Sequence, residues 1–277
     1  MRPSEGPSSI DVPVRAFSYD SGASGPELSR AVAVEAPVQI VIGGAPFAVM
    51  MATPKDLEDF AYGFALTEQI AGSLNDIRGV EVESADDGWK LKIAISGERL
   101  QAHLARGRAM SGRTGCGLCG IEDFSQMPSP RPPLHSPAPI APEAIRAALS
   151  ELEAQQPLNR ATRAVHGAAW CGRDGTIVLV REDVGRHNAL DKTIGALSRG
   201  GVAPESGFFI ITSRCSFEMV AKAAIFGAGT LVSVSAPTSL ALERARRFGV
   251  RVIAVARRDQ ALCFDDGKDE ASGGLAA

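Results

Sequence analysis

Two thiols and the glycines around them are the first place in this chain where chemistry can be located. Cys116 and Cys119 stand in a Cys-x-x-Cys spacing inside Ser111-Gly-Arg-Thr-Gly-Cys-Gly-Leu-Cys-Gly120, framed by Gly112, Gly115, Gly117 and Gly120. No apolar period runs through this stretch, so it reads as an exposed loop. Glycine removes side-chain cover and lets the backbone turn in either sense, so a thiol here is presented to partners. Arg106, Arg108 and Arg113 lie close in sequence. Positive charge favours the thiolate, which is the nucleophile.

Several readings of the pair compete. A structural zinc site needs four ligands, and Cys171, Cys215 and Cys263 are scattered singly with no second paired spacing. A thioredoxin-like redox pair belongs after a strand and at a helix start. Here Gly120 is followed by Ile-Glu-Asp-Phe and then by prolines. Incidental surface cysteines would not need four framing glycines. A sulfur-carrying or nucleophilic thiol fits best. A redox switch on a nucleotide-binding regulator and a zinc-bearing interaction module remain the alternatives.

Two further polar clusters follow apolar runs. Glu182-Asp-Val-Gly-Arg-His-Asn-Ala-Leu-Asp-Lys192 leaves a strand pattern and enters a helix pattern, with Arg186 and His187 at the helix start. Backbone amides and the helix dipole favour an anion there, although an ordinary charged helix cap would read the same way. Thr212-Ser-Arg-Cys-Ser-Phe-Glu-Met-Val-Ala-Lys222 has the same placement. Its Ser213, Arg214 and Ser216 can donate to phosphate, and Glu218 can accept from a base or ribose. Arg257-Arg258 follows the last strand pattern. Three strand ends carrying arginine suggest a site for a phosphate-bearing nucleotide. His166 falls inside a strand, where a core role and a functional one are equally open.

The elements that must position these groups fall in two halves. Residues 1–28 are rich in Ser, Gly and Pro and read as a disordered tail. Residues 29–106 read as an α+β subdomain, with strands on either side of Gly43-Gly44. Thr53 serves there as the cap of a helix that begins at Pro54, and Asp56 as its capping-box acid. Residues 107–140 hold the cysteine loop and a proline-rich linker, expected to be mobile. Residues 141–265 alternate strand and helix as an α/β sheet does, and residues 266–277 read as a disordered tail. In such sheets ligands bind at the carboxyl ends of strands, where the polar clusters fall.

Composition narrows the classes. A formal net charge of -3 over 277 residues argues against a general nucleic-acid binder. No run is long and apolar enough to span a membrane, and no apolar leader follows Met1. Five cysteines, an odd count, point to free thiols in a reducing, cytoplasmic compartment. With 45% hydrophobic but only 5% aromatic residues, the core must be aliphatic.

Gly115-Cys-Gly-Leu-Cys-Gly120, the Glu182–Lys192 run, Ser213-Arg-Cys-Ser-Phe-Glu-Met-Val220 and Ser235-Ala-Pro-Thr-Ser239 together resemble the formate dehydrogenase accessory sulfurtransferase family (FdhD) over about residues 31–264. The resemblance implies a sulfurtransferase with a persulfide on Cys116. A cysteine desulfurase would supply the sulfur, and the recipient would be molybdenum in a bis-molybdopterin guanine dinucleotide, before its insertion into formate dehydrogenase. It also implies a homodimer, no structural metal, and a C-terminal half similar to the cytidine deaminase fold. The family's cofactor-binding segment maps onto Ala254, Val255, Ala256, Arg257, Arg258 and Asp259. None of His103, His135, His166 or His187 begins a His-x-Glu and no Pro-Cys-x-x-Cys occurs, so deaminase zinc chemistry is set aside. Arg163, Ala164 and Ala254 stand where the family commonly has glycine.

Overall fold

The computed structural model describes residues 5–20, 22, 24–99, 130, 134 and 137–264. Cys116 and Cys119 lie outside the described residues.

The first half is built on a four-stranded sheet. β3 (Ala36–Ile42) and β4 (Ala45–Ala52) form the expected hairpin, while β5 (Ile77–Ala85) and β6 (Gly88–Ile95) form a second one. The strand order is β4-β3-β6-β5, with β3 and β6 parallel. Alternation sends Val38, Ile40, Ile42, Leu91 and Ile93 to one face. There they pack against Leu57, Phe60, Ala61 and Phe64 of helix α1 (Leu57–Thr67).

A two-stranded hairpin, β1 (Ser9–Phe17) and β2 (Ser24–Ala33), precedes this sheet. It replaces most of the tail expected for residues 1–28. Its apolar positions do alternate, Ile10 opposite Val32 and Val14 opposite Leu28. Pro13 and Pro26 masked that period, yet both strands are edges, where proline is tolerated.

The second half is a six-stranded sheet in the order β12-β11-β10-β9-β7-β8. Its strands are β7 (His166–Gly172), β8 (Ile177–Asp183), β9 (Gly207–Ile211), β10 (Thr230–Ser233), β11 (Arg251–Ala254) and β12 (Leu262–Cys263). β9, β10 and β11 run parallel, and the remaining pairings are antiparallel. One face, with Trp170, Phe209, Ile211 and Leu231, is covered by α4 (Arg186–Arg199), α5 (Phe217–Phe226) and α6 (Ser239–Phe248). The other, with Ala169, Phe208, Ile210 and Val232, is covered by α2 (Pro142–Leu152), which precedes the short α3 (Pro157–Thr162). Cover on both faces explains why Gly207-Phe-Phe-Ile-Ile211 is buried throughout.

The two halves meet where α1 crosses α4. A Cβ on Gly63 would stand 1.8 Å from the Asp191 carbonyl oxygen, and one on Gly195 would stand 1.9 Å from that of Asp59. Only glycine permits backbones this close. Ion pairs flank the crossing. Lys222 Nζ donates to Thr67 Oγ1 (2.8 Å), Glu68 Oε1 (3.0 Å) and Asp191 Oδ2 (2.9 Å). Asp59 takes Arg181 at 2.8 Å and Arg199 at 2.6 Å.

The start of α1 differs from its sequence reading. The helix begins at Leu57, after Asp56 in the left-handed region, with no side-chain cap. Thr53 is drawn away from capping because it is fully buried against the second half. Its amide donates to Asp183 Oδ2, 3.0 Å away, and its hydroxyl accepts from the Val184 amide at 3.2 Å.

Candidate functional site

The carboxyl ends of β9, β10 and β11 open into three turns on one edge of the sheet. After β9, Ser213 to Ser216 lead into α5; after β10, the run Ser233-Val-Ser235 leads toward α6; after β11 comes Val255 to Arg257. These turns are tied together. Cys215 donates its amide to the Ala236 carbonyl at 3.2 Å, and Thr238 donates to the Cys215 carbonyl at 3.0 Å. Ser233 Oγ donates to the Ser213 carbonyl at 2.8 Å. Val255 and Ala256 donate to the carbonyls of Ser235 and Ser233, both at 3.1 Å. The two motifs read separately in the sequence, Ser213–Val220 and Ser235–Ser239, are thus one zipped structure.

β7 and β8 bring the third cluster to the same edge. His166 begins β7 opposite Asp183, which ends β8. Thr212, just past β9, donates its amide to the Gly167 carbonyl at 3.0 Å. From Asp183 the chain turns into α4 through Gly185, placing Arg186 and His187 at the helix start. Neighbouring strands lie about 4.8 Å apart, so the row from Arg186 at β8, through Arg214 after β9, to Arg257 after β11 spans roughly 19 Å.

Two helix starts on this edge lack side-chain caps. Ser216 is the residue before α5 and Gly185 the residue before α4, and neither supplies a capping hydrogen bond. Uncapped helix starts leave amides pointing outward with positive partial charge. Beside them, Arg186 Nε is buried without a hydrogen-bond partner among the described residues, while His187 Nε2 and Ser216 Oγ face the Glu218 carboxylate. Buried polar atoms in folded proteins are ordinarily paired, and an exception calls for a role. Donors of this kind at helix starts suit phosphate oxygens.

Glu218 sits in the first turn of α5, with its carboxylate 3.8 Å from His187 Nε2. Burial pushes its carboxyl up, but His187, Ser216 and its own helix-start amide outweigh that and hold it at about 2. It is therefore an ionised acceptor, suited to N–H or O–H donors of a base or sugar. Burial pushes the His166 imidazole below its ordinary value, and the charges of Arg186 and His187 push the same way against Asp183. A neutral imidazole there can accept as well as donate.

The expected site residues divide by position. Arg186, His187, Ser216 and Glu218 come together. Arg214, Arg257, Arg258 and Asp259 are exposed along the edge. Arg257 hydrogen-bonds the Val234 carbonyl, which fixes the turn after β11. Ala254 and Ala256 are buried, and Ser213 Oγ donates to the Arg214 carbonyl at 3.1 Å. Val255 has φ 53. A β-branched residue is rarely found there, so this turn is strained and held by its surroundings.

Other members of the Glu182–Lys192 run serve the seam between the halves. Asp183, Asn188, Asp191 and Lys192 are buried and engaged. Glu182 caps α3 by accepting from the amides of Leu158 (2.9 Å) and Asn159 (2.7 Å).

Sequence reasoning missed Gln156 and Arg244. Gln156 is 2% exposed, packs over Gly167 beside His166, and has an Nε2 without a partner among the described residues. Arg244 on α6 has a buried Nε without a partner among the described residues and lies 6.0 Å from the Phe217 ring centre. Neither belongs to a motif, so only the fold reveals them. Cys171 and Cys215 are buried, and burial pushes both thiols up to about 12. Neither forms thiolate at neutral pH.

The comparisons agree with this architecture. A sulfur carrier protein FdhD from Xanthomonas euvesicatoria pv. vesicatoria is 46% identical over 244 residues, covering 88% of this chain and 87% of the relative. A sulfur carrier protein FdhD from Cupriavidus necator is 45% identical over 226 residues, covering 82% and 78%. The crystal structure described as that of a formate dehydrogenase accessory protein from Desulfotalea psychrophila is similar with a TM-score of 0.72 at 25% identity, over 95% of this chain and 99% of that one. The model of the FdhD/NarQ family matches residues 33–269, and this chain belongs to that family.

Proposed function

We propose that the chain is a sulfur carrier serving formate dehydrogenase, with Cys116 as the carrying thiol and the strand-end edge as the seat for the cofactor that receives the sulfur. The observation that carries the second part is the buried, unpartnered Arg186 Nε beside two helix starts without side-chain caps, continued by Arg214 and Arg257 along the same edge. An extended, phosphate-bearing cargo such as a bis-molybdopterin guanine dinucleotide matches a row of cationic and ionised groups better than a compact anion does.

In the sulfur half of the reaction, the Cys116 thiolate attacks the outer sulfur of a cysteine desulfurase persulfide. A new S–S bond forms on Cys116, the old one breaks, and the desulfurase thiolate leaves. Cys119 can then attack the inner sulfur of Cys116, closing a disulfide and releasing hydrosulfide. The charge balances, and a thiol reductant resets the pair. Burial disfavours Cys171 and Cys215 as carriers by holding their thiols protonated.

The reading also includes a cytoplasmic homodimer and a likeness of the six-stranded half to the cytidine deaminase fold. Intact-mass measurement after incubation with a desulfurase and cysteine tests the carrier role. Wild type should gain the mass of sulfur, and Cys116→Ala should gain none. If Cys116→Ala loads at the wild-type rate, Cys116 is not the carrier.

A further inference from the structure

Thr53 belongs to no motif and lies in the first half of the chain, yet it meets the turn that presents Arg186 and His187. Its amide donates to Asp183 Oδ2 (3.0 Å), its carbonyl accepts from Lys192 Nζ (2.9 Å), and its hydroxyl accepts from the Val184 amide (3.2 Å). Two residues earlier, the Met51 carbonyl accepts from Asn188 Nδ2 at 2.8 Å. Asp183 Oδ1 completes the grip by accepting from the Gly185 amide (2.7 Å) and from Asn188 Nδ2 (2.9 Å). These contacts from the N-terminal half surround residues 183–192, beside Arg186 Nε, a buried donor without a hydrogen-bond partner among the described residues.

Unpartnered buried donors are costly, and an unrestrained turn would rotate Arg186 Nε toward water or a nearby carbonyl. A site that keeps such a donor ready needs a rigid support behind it. We infer that Thr53 is a positioning residue: through its hydroxyl and backbone, the N-terminal half fixes the turn that holds Arg186 and His187 for an anionic ligand. The inference rests on the cofactor-binding reading of this edge.

Thr53→Val tests it with little change in volume. The variant keeps the backbone contacts and removes only the acceptor for the Val184 amide, whereas Thr53→Ser retains that acceptor. With GDP as the probe, Thr53→Val should weaken binding on the order of fivefold, the size of one net hydrogen bond. Thr53→Ser should bind like wild type. A second measurement needs no ligand: histidine titration by NMR. His166 is held low by burial and by Arg186 and His187, against Asp183. Movement of Arg186 away in Thr53→Val should raise the His166 value toward its ordinary one, with Thr53→Ser unchanged.

Equal GDP affinity and an unshifted His166 in folded Thr53→Val would overturn the inference, as would equal losses in the valine and serine variants. If wild type itself binds no GDP, the reading of the edge fails, and the His166 titration alone decides whether Thr53 positions the turn.

Discussion

The seam between the halves and the carboxyl edge of the large sheet are built from the same kinds of side chain, and they differ in whether those side chains are satisfied. In the seam, Lys222 has three ammonium hydrogens and three acceptors: Thr67, Glu68 and Asp191. Asp183 is met by the Thr53 amide, Lys192, the Gly185 amide and Asn188, which fills the capacity of a carboxylate. A few residues away, Arg186 carries a buried nitrogen with no hydrogen-bond partner among the described residues. A charged residue in a single polar run can thus be mortar or site. Hydrogen-bond satisfaction separates the two cases more sharply than residue type does.

The largest expected effect comes from breaking the seam. Lys222→Met would leave Asp191 and Glu68 together without their cation in a buried place. Removing one partner of a buried pair costs roughly 3–5 kcal/mol. Urea unfolding should show a loss of that order. A loss below about 1 kcal/mol, the surface-pair range, would mean that the seam is wetter than the contacts indicate.

Gly195→Ala attacks the same seam by volume. Its new methyl would sit 1.9 Å from the Asp59 carbonyl oxygen, so the helices must separate. Overpacking of this kind costs typically 1–3 kcal/mol. Gly201→Ala is not an equivalent control, because Gly201 has φ +64; Gly79→Ala, with open space around it, is a suitable one. If Gly195→Ala and Gly79→Ala unfold at the same urea concentration, the close crossing of α1 and α4 is not a constraint.

The contrast also explains what the sequence could reveal. The strand and helix alternation in the second half was legible because each element carries its own period and turn signals. The polar clusters were legible as strand-end features. What could not be read was which of their members face the other half. Asp191 and Lys192 sit beside His187 in sequence, but their roles depend on partners at Thr53 and Thr67, more than a hundred residues away. Thr53 reads as a cap because Thr-Pro-x-Asp is a good local signal, and buried long-range partners at Asp183 and Val184 override it. Gln156 and Arg244 had no local signal at all.

At the edge, the effects should be smaller and should depend on ligand. At GDP concentrations ~100-fold above the dissociation constant, binding should stabilise wild type by about 2.7 kcal/mol. Arg186→Ala should reduce that gain by removing a charge-assisted donor, with Arg257→Ala doing so by a lesser amount because Arg257 is exposed. Thermal melts with and without GDP measure the difference. A nucleotide-dependent shift unchanged in both variants would move the binding site away from this edge.

The smallest effect is expected from Glu218, and pH isolates it. In the folded chain its carboxyl lies at about 2, against an ordinary value of 4.5. A depressed carboxyl contributes stability that is fully present above the ordinary value and is lost as the pH falls toward the folded one. The window is therefore pH 4.5 down to about 2. Other carboxylates titrate there as well, so the informative quantity is the difference between wild type and Glu218→Gln. Glu218 retains 18% side-chain exposure and its His187 partner is at ion-pair distance, 3.8 Å. Solvent screening should limit the contribution to on the order of 1 kcal/mol. Urea midpoints followed from pH 6 to 2.5 should fall more steeply for wild type than for Glu218→Gln. Parallel curves would mean that His187 and Ser216 do not hold this carboxylate, and that the edge lacks the electrostatic preorganisation that distinguishes it from the seam.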